Sequence, residues 1–312
     1  MAPGTPEPAV DRLLVRAVER VADGVVALTL ARPDGAPLAP WTPGAHLDLH
    51  LAPGLVRQYS LCSDPADLGH YRVAVLRVPE GRGGSAHVHD ELRPGDLLTV
   101  SRPRNNFELA DAGRHVLVAG GIGITPLLPM ARRLAARGAP WRLLYGGRSR
   151  ATMAFLDELP EGSVTLAPED ETGRPDLAGF LAEWPDATVH ACGPPGLLDA
   201  VRAAHPGPVR TERFTPAPQV SSTGGEFTVR LERSGIDVDV PAGRSVLDAV
   251  RGAGVAVDSS CEMGLCGSCE TKVLAGDPDH RDDLLTDEEK HTATTMMLCV
   301  SRCLGSRLVL DL

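Results

Sequence analysis

The sequence lacks an apolar run long enough to cross a membrane, and it lacks a secretory leader. The longest apolar stretch, residues 116–130, is interrupted by three glycines and two prolines, whereas a membrane-spanning helix needs about 20 apolar residues. Residues 1–8 contain neither the basic segment nor the apolar core of a signal peptide. These absences exclude a helical membrane protein and predict a cytoplasmic one.

Positive charge is also scarce. The formal net charge is −10, whereas proteins that bind nucleic acids usually carry a basic surface that replaces phosphate counterions. Most of the negative charge lies in residues 226–312, which contain 16 acidic and nine basic residues and so have a net charge of −7. Two interpretations stay open for this segment: a solvated acidic face, or a docking face for a basic partner.

Internal repeats and long low-complexity tracts are absent, so the 312 residues predict two or three ordinary domains. We expect one domain over residues 1–110, a second over 111–214 and a third over 226–312. Residues 215–225 are rich in Pro, Ser, Thr and Gly and predict a linker, because they cannot bury enough apolar surface to fold.

Each stretch has its own periodicity. Short β-rich runs separated by turn residues in the first stretch predict a β-sandwich or barrel. Alternating strands and helices in the second predict an α/β parallel sheet. Within it, Thr125 is expected to cap a helix that has Pro126 in its first turn, and an apolar helix is expected around Phe155. A hairpin, a short helix and a final strand predict a small α+β domain in the third stretch.

Cysteine provides the strongest motif. Cys261, Cys266 and Cys269, followed by Cys299, have the C-x4-C-x2-C spacing with a distant fourth cysteine that is typical of plant-type [2Fe–2S] sites. Glycines within the loop allow the backbone to fold tightly and aim amides at the cluster sulfurs.

Two alternatives remain for this motif. Zinc sites with four cysteines usually pair two short C-x2–4-C hooks, and here only one cysteine comes from the distal segment. Cys303 is an alternative fourth ligand in place of Cys299. We expect Cys299 to be the ligand and Cys303 to pack in the core.

The cysteine loop, the segment 280–283 and the segment 296–302 together resemble the C-terminal domain of the phthalate dioxygenase reductase family. Upstream motifs extend the resemblance over essentially the whole chain. It implies an antiparallel β-barrel flavin domain, an α/β nicotinamide domain and a β-grasp [2Fe–2S] ferredoxin domain, in that order.

The first domain carries two motifs that resemble flavin-binding sites of ferredoxin reductases. Arg57-Gln58-Tyr59-Ser60 matches an RxYS signature, in which the arginine binds phosphate, the tyrosine stacks on the ring and the serine hydrogen-bonds near N5. About 25 residues on, a Gly-rich turn containing Gly83, Gly84 and Ser85 resembles the phosphate loop of the family. A flexible hairpin tip is the alternative for that turn. The resemblance alone favours FMN, and FAD is not excluded.

The second domain carries a turn typical of dinucleotide binding. Gly120, Gly121, Gly123, Thr125 and Pro126 follow a predicted strand and open a helix, where pyrophosphate binds near the helix N-terminus. The GGxGxTP form differs from GxGxxG and resembles the nicotinamide domain of ferredoxin reductases.

A later motif, Cys192-Gly193-Pro194, resembles the CGP motif of that family, whose cysteine lies beside the nicotinamide. A buried cysteine at a strand end is the alternative. The family also implies that Phe214 lies against the flavin ring, where stacking on a flat apolar surface suits it; otherwise it is a core residue.

Arg148 and Arg150 follow the second strand of this domain, where NADP-dependent proteins place arginine for the 2′-phosphate. Solvated surface arginines are the alternative, and the resemblance more often implies NADH. The choice between NADH and NADPH is therefore open.

Three such sites in one chain predict an electron-transfer reductase. NAD(P)H gives electrons in pairs, a plant-type cluster takes one, and flavin converts between the two. No acid or base catalyst is needed for that transfer, and none is assigned. Because no substrate-oxidising motif stands out, we expect a separate Rieske-type oxygenase or cytochrome P450, a demethylase or hydroxylase, to accept the electrons. An iron–sulfur carrier or sensor, and an NAD(P)H-linked enzyme acting directly on a small molecule, are the alternatives.

Overall fold

The computed structural model describes residues 10–52, 55–214 and 225–312. The chain divides into two compact units, Met1–Phe214 and Thr215–Leu312. Of the predicted linker, only Gly225 lies within the described residues, and the predicted domain limits stay predictions. Among the helices in the described parts, none is long and apolar enough to cross a bilayer.

The first unit begins with a six-stranded antiparallel sheet. Its strands are β1 (Val10–Ala22), β2 (Val25–Ala31), β3 (His46–Ala52), β4 (Leu55–Ser60), β5 (Tyr71–Leu76) and β6 (Leu97–Ser101), with helix α1 (Gly84–Asp90) before β6. Their order is β4-β3-β6-β1-β2-β5. A bridge between Leu61, just after β4, and Val73 of β5 joins the two edges. The sheet is thereby closed into the predicted β-barrel.

Inward-facing leucines and valines fill the barrel. Leu13, Leu28, Leu47, Leu49 and Val73 are fully buried and belong to one apolar cluster. Burying each such side chain contributes about 1.5–3 kcal/mol. This core holds β4 and α1 in place.

A five-stranded parallel sheet completes the first unit. Its strands are β7 (His115–Gly120), β8 (Trp141–Gly147), β9 (Val164–Pro168), β10 (Thr188–Cys192) and β11 (Val209–Glu212), in the order β11-β10-β7-β8-β9. Its helices are α2 (Ile124–Ala136), α3 (Glu169–Thr172), α4 (Leu177–Ala182) and α5 (Pro195–Ala204). The parallel sheet confirms the predicted α/β class. Because all strands run the same way, the ends of β7, β10 and β11 meet at one edge.

Two local predictions in this sheet layer are wrong. Helix α2 starts at Ile124 with Gly123 as its N-cap and no side-chain cap; the Thr125 hydroxyl donates to the Ile122 carbonyl instead. The 3-10 turn over residues 121–123 leads directly into α2, so Thr125 lies inside the first turn of the helix.

Around Phe155 the structure has two short 3-10 turns, Arg150–Thr152 and Leu156–Glu158, in place of the expected apolar helix. Phe155 adopts a left-handed backbone conformation with φ of 63°, which interrupts a helix. Its ring is buried beneath the guanidinium of Arg72, 4.8 Å from the ring centroid. Tertiary packing therefore overrides the local apolar pattern.

The second unit is a small mixed α+β fold. Its strands are β12 (Phe227–Leu231), β13 (Ile236–Val240), β14 (Glu270–Ala275), β15 (Pro278–Asp279), β16 (Thr295–Met297), β17 (Arg302–Cys303) and β18 (Arg307–Leu310), and its helices are α6 (Val246–Gly252) and α7 (Asp287–Thr292). The main sheet has the order β13-β12-β18-β14-β16, and β15 pairs with β17. The predicted hairpin, short helix and final strand are confirmed, and with them the multidomain fold class.

Candidate functional site

The second unit brings the four predicted cluster cysteines together from two segments. Cys261, Cys266 and Cys269 lie in the loop that leads into β14, and Cys299 follows β16. Strands β14 and β16 are antiparallel with Glu270 opposite Met297. The residues just before β14 and just after β16 therefore lie side by side at one end of the sheet.

The four thiols form two hydrogen-bonded pairs. The Cys261 thiol donates to the Cys266 sulfur, which lowers the pKa of Cys266 to about 5 and raises the pKa of Cys261. The Cys299 thiol donates in the same way to Cys269, lowering the pKa of Cys269 and raising that of Cys299. Charge on Cys266 also acts on Cys269, and charge on Cys261 acts on Cys299. The thiols therefore influence one another chiefly in two pairs, Cys261 with Cys266 and Cys269 with Cys299.

Backbone amides surround these sulfurs. The amides of Met263 and Leu265 lie 3.3 and 3.5 Å from the Cys261 sulfur, and the amide of Ser268 lies 3.4 Å from that of Cys266. Positive φ values at Gly264 and two other loop residues, Glu262 and Gly267, turn the backbone so that its N–H groups point inward.

This donor set fits a [2Fe–2S] cluster better than a single zinc ion. Two thiol pairs instead match two irons with two thiolates each. The Cys303 thiol lies 3.5 Å from the Arg307 carbonyl oxygen and is influenced by Asp277 and Asp279 rather than by other thiols.

In the first unit, the two predicted flavin motifs lie against each other. Arg57, on β4, donates from Nη2 to the Arg82 carbonyl at 2.8 Å. A Cβ atom at Gly84 would lie 2.5 Å from the Arg57 Cγ atom, so glycine is required where the arginine crosses the start of α1. Gly83 has a φ of 83° and forms the N-cap of α1, and Ser85 accepts from the Val78 amide. Burial raises the pKa of Tyr59, also on β4, to about 12.

The predicted dinucleotide turn packs directly on the predicted CGP motif. Gly120 ends β7, and residues 121–123 form a 3-10 turn that leads into α2, whose first turn contains Thr125 and Pro126. A Cβ atom at Gly123 would lie 2.1 Å from the Cys192 carbonyl oxygen, and one at Gly120 would lie 2.7 Å from the Pro194 ring. The turn can approach Cys192-Gly193-Pro194 this closely only because those positions are glycines.

Glu212 connects the flavin motif to the nicotinamide motif, and sequence reasoning missed it as a site residue. It ends β11 beside Cys192 in the parallel register, and its Oε2 atom accepts from the Ser60 hydroxyl at 3.3 Å. Burial raises the pKa of Glu212 to about 8. Burial and the nearby Glu212 carboxyl raise the pKa of Cys192 well above its ordinary value. At neutral pH this edge therefore presents uncharged hydrogen-bonding groups.

The remaining predicted residues, Phe214, Arg148 and Arg150, follow the carboxyl ends of strands in the parallel sheet. Phe214 follows β11 by two residues and is 37% exposed. Arg148 is exposed just after β8. Arg150 donates from Nε to both carboxylate oxygens of Glu171, at 2.9 Å each. One of the two predicted phosphate-binding arginines is therefore already paired with an acid.

Comparisons with known proteins find relatives over nearly the whole chain. The profile of the 2Fe-2S iron-sulfur cluster binding domain matches residues 229–304. The chain is 46% identical over 310 residues to phenoxybenzoate dioxygenase subunit beta of Ectopseudomonas oleovorans, covering 96% of this chain and 97% of that protein.

Two solved structures have the same fold. Phthalate dioxygenase reductase, described as a modular structure for electron transfer from pyridine nucleotides to [2Fe–2S], superposes with a TM-score of 0.72 and 41% identity, covering 97% of this chain and 98% of that one. An intact type IV self-sufficient cytochrome P450 monooxygenase gives a TM-score of 0.89 and 43% identity, covering 97% of this chain. The chain spans 41% of the length of that longer protein.

Proposed function

Since the chain belongs to the phthalate dioxygenase reductase family, we propose that it is the reductase component of an oxygenase system. It passes electrons from NAD(P)H through a flavin and a [2Fe–2S] cluster to a separate terminal oxygenase. Relatives named as dioxygenase and monooxygenase reductases support this assignment, and the P450 match adds a cytochrome P450 to the possible acceptors.

The observation that carries the proposal is the contact chain Ser60–Glu212–Cys192. It joins the motif proposed for the flavin ring to the motif proposed for the nicotinamide ring within one compact unit. Hydride transfer needs two rings in contact and no acid or base catalyst. The neutral Glu212 and Cys192 side chains suit that transfer because they place no negative charge beside the ring that receives the hydride.

Residues of the first unit would hold the two organic cofactors. Arg57, Gly83, Gly84 and Ser85 are proposed to bind the flavin phosphate, and Tyr59, Ser60 and Phe214 to contact the ring. The family assignment favours FMN. For NAD(P)H, the proposed ligands are Gly120, Gly121, Gly123, Thr125, Pro126, Arg148, Arg150, Cys192, Gly193 and Pro194. When bound, the flavin supplies the conversion of a hydride into single electrons.

In the second unit, Cys261 and Cys266 are proposed to ligate one iron, and Cys269 and Cys299 the other. The hydrogen bonds that already lower the pKa of Cys266 and Cys269 favour the thiolate form that metal binding requires. Backbone amides would then remain to stabilise charge on the sulfurs.

The docking face is proposed to be the acidic surface around the ligand loop, where Asp258, Glu262 and Asp283 are exposed. The net charge of −7 on residues 226–312 would steer a basic partner surface toward it. We also propose a cytoplasmic location, because all seven cysteines are free thiols, as in reducing compartments.

A rapid-mixing experiment tests the proposed order of electron flow. The purified holoprotein is mixed anaerobically with NADH, and flavin and cluster absorbance are followed separately. We expect the flavin to bleach first and the cluster second. In Cys269→Ser protein that has lost its cluster, the flavin phase is expected to persist without the second phase.

Other outcomes identify the alternatives. No bleaching by NADH or NADPH would leave an iron–sulfur carrier or sensor. Steady oxidation of NAD(P)H with a small molecule, in the absence of a second protein, would indicate an enzyme that acts directly on that molecule.

A further inference from the structure

A partly buried turn outside the cysteine loop contacts both segments that deliver the cluster cysteines. This turn, residues 280–285, follows β15 and precedes α7, and it is called the clamp turn below. The amide of Asp283 donates to the Gly264 carbonyl at 3.1 Å, and the amide of Arg281 donates to the fully buried Ser301 hydroxyl at 3.2 Å. Gly264 lies within the ligand loop, and Ser301 lies two residues after Cys299.

The ligand loop, the clamp turn and the segment after Cys299 meet at Gly264. A Cβ atom there would lie 2.7 Å from a methyl group of Val300 and 3.0 Å from the Cα atom of Asp282. Gly264 lies between Met263 and Leu265, whose amides lie 3.3 and 3.5 Å from the Cys261 sulfur, and its carbonyl accepts from the Asp283 amide. The clamp turn therefore holds the segment whose two amides reach a ligand sulfur.

Asp282 fixes the conformation of the clamp turn. Its side chain is buried, and Oδ1 accepts from the amides of Leu284 and Leu285 at 3.1 and 2.8 Å. Its carbonyl accepts from the Lys290 ammonium of α7 at 2.6 Å. The Oδ2 atom has the Nδ1 atom of His280 at 3.7 Å and no hydrogen-bond partner within the described part of the chain. A buried carboxyl that organises two backbone amides holds a turn firmly.

We propose that Asp282 is a positioning residue for the [2Fe–2S] cluster: by fixing the clamp turn, it holds Gly264 and with it the neighbouring Met263 and Leu265 amides on the Cys261 sulfur, and so sets the cluster's reduction potential. The proposal rests on the cluster assignment made above. Hydrogen bonds to cluster sulfurs stabilise the reduced, more negative state, and they are one of the factors that set reduction potentials. Weakening of the Met263 and Leu265 hydrogen bonds to the Cys261 sulfur would therefore make the potential more negative.

Two variants separate the effect of the clamp turn's conformation from the effect of a charge on Asp282. Asp282→Asn removes any charge but keeps an oxygen that accepts from the two amides, whereas Asp282→Ala removes both. At equal charge, we expect the Ala variant to have a more negative potential than the Asn variant, with at least a threefold change in the one-electron equilibrium, about 28 mV. The potential is measured by anaerobic dye titration of the holoprotein, with the reduced cluster followed by EPR. Glu288→Gln, an exposed acid on α7, controls for nearby charge and is expected to leave the potential unchanged.

A third variant keeps the test decisive if Asp282→Ala fails to fold or to bind iron. Asp282→Ser retains a weaker acceptor for the same amides, so its potential should also lie below that of the Asn variant. Equal potentials in the Asn variant and in the Ala or Ser variant, with full cluster content, would overturn the proposal. A wild-type protein without a cluster would instead overturn the proposed function.

Discussion

At the residue scale, Glu212 is an acid whose pKa lies above its ordinary range. Its partial burial between the barrel and the parallel sheet raises the pKa to about 8. The Ser60 hydroxyl opposes that shift by donating to the carboxyl. Ionisation above pH 8 would place a negative charge beside Cys192, at the edge where the two cofactor rings are proposed to meet.

Glu212→Gln tests this role. In the wild-type protein, the rate of flavin reduction by NADH is expected to fall as the pH rises through about 8, because a buried carboxylate opposes hydride arrival. The Gln side chain cannot ionise, so the rate should stay level from about pH 7 to 9. Stopped-flow absorbance of the flavin at a series of pH values gives both profiles.

Ser60→Ala provides the matched check. Loss of the donated hydrogen bond should raise the pKa of Glu212 further and move the decline to higher pH. A wild-type profile without a decline, or the same decline in the Gln variant, would contradict the assignment to Glu212.

Glu171 is a second residue with a testable effect, because it pairs with Arg150. In Glu171→Gln, Arg150 is released toward a 2′-phosphate, and the ratio of kcat/KM for NADPH to that for NADH should rise about fivefold, equivalent to roughly 1 kcal/mol. The pair is half exposed, so the effect is small. Ferricyanide serves as electron acceptor.

Glu169→Gln removes a neighbouring charge of the same helix without releasing Arg150, and it should leave the ratio nearly unchanged. If both variants changed the ratio equally, general electrostatics would explain the result and the specific pair would not.

The sequence predicts the cysteines far better than it predicts Glu212. Three of the four cysteines lie within nine consecutive residues, and their spacing reflects the cluster directly. Ser60 and Glu212 are 152 residues apart, so their contact depends on how the barrel packs against the sheet. The available signal was that Glu212 lies two residues before Phe214, the predicted ring-stacking aromatic. Such a pairing is too common to single out a site.

At the element scale, the proposed nucleotide-binding role of the turn after β7 depends on its close contact with the end of β10. Gly123→Ala would place a methyl group 2.1 Å from the Cys192 carbonyl oxygen. Relief of this overlap requires a backbone shift that costs about 1–3 kcal/mol of folding free energy. We also expect at least a tenfold loss of NADH affinity, since the turn and the Cys192 segment are both proposed to contact the nucleotide. Thermal unfolding and equilibrium titration measure the two effects.

Gly113→Ala is the control for this substitution. Gly113 precedes the opposite end of the same strand, has no positive φ, and has no atom within 4 Å of the position that the new methyl group would take. The stability of this variant should be unchanged or slightly increased through the unfolded chain, with normal NADH affinity. A Gly123 variant that matched this control would show that the close approach has no function.

Elements were predictable where local pattern and tertiary packing agree. The hairpin of β12 and β13 alternates apolar and polar residues with a glycine of positive φ at its turn. Strand β11 was not predicted, because its four residues, Val209–Glu212, contain a single apolar side chain. The helix expected near Phe155 is absent because Phe155 has a left-handed backbone conformation, which interrupts a helix; its ring packs under Arg72.

At the scale of the whole molecule, charge is distributed unevenly, and most of the acidic excess lies in the unit that holds the four proposed cluster cysteines. Electrostatic docking predicts that reduction of a purified Rieske-type oxygenase or P450 partner becomes slower as ionic strength rises. Asp258→Lys, beside the ligand loop, should slow this step more than Glu232→Lys. Glu232 follows β12, on the side of the sheet away from β14 and β16. A rate independent of salt, or equal effects of the two variants, would contradict docking at the ligand loop.

Anaerobic reduction of the freshly purified chain by NADH or NADPH, combined with iron, sulfide and flavin analysis, tests the central claim most directly. The account predicts one flavin, two irons and two labile sulfides per chain, and an EPR signal of a reduced [2Fe–2S] cluster that appears after nucleotide addition and is lost in Cys299→Ser but not in Cys303→Ser. A folded protein that stays colourless and iron-free after reconstitution would contradict it.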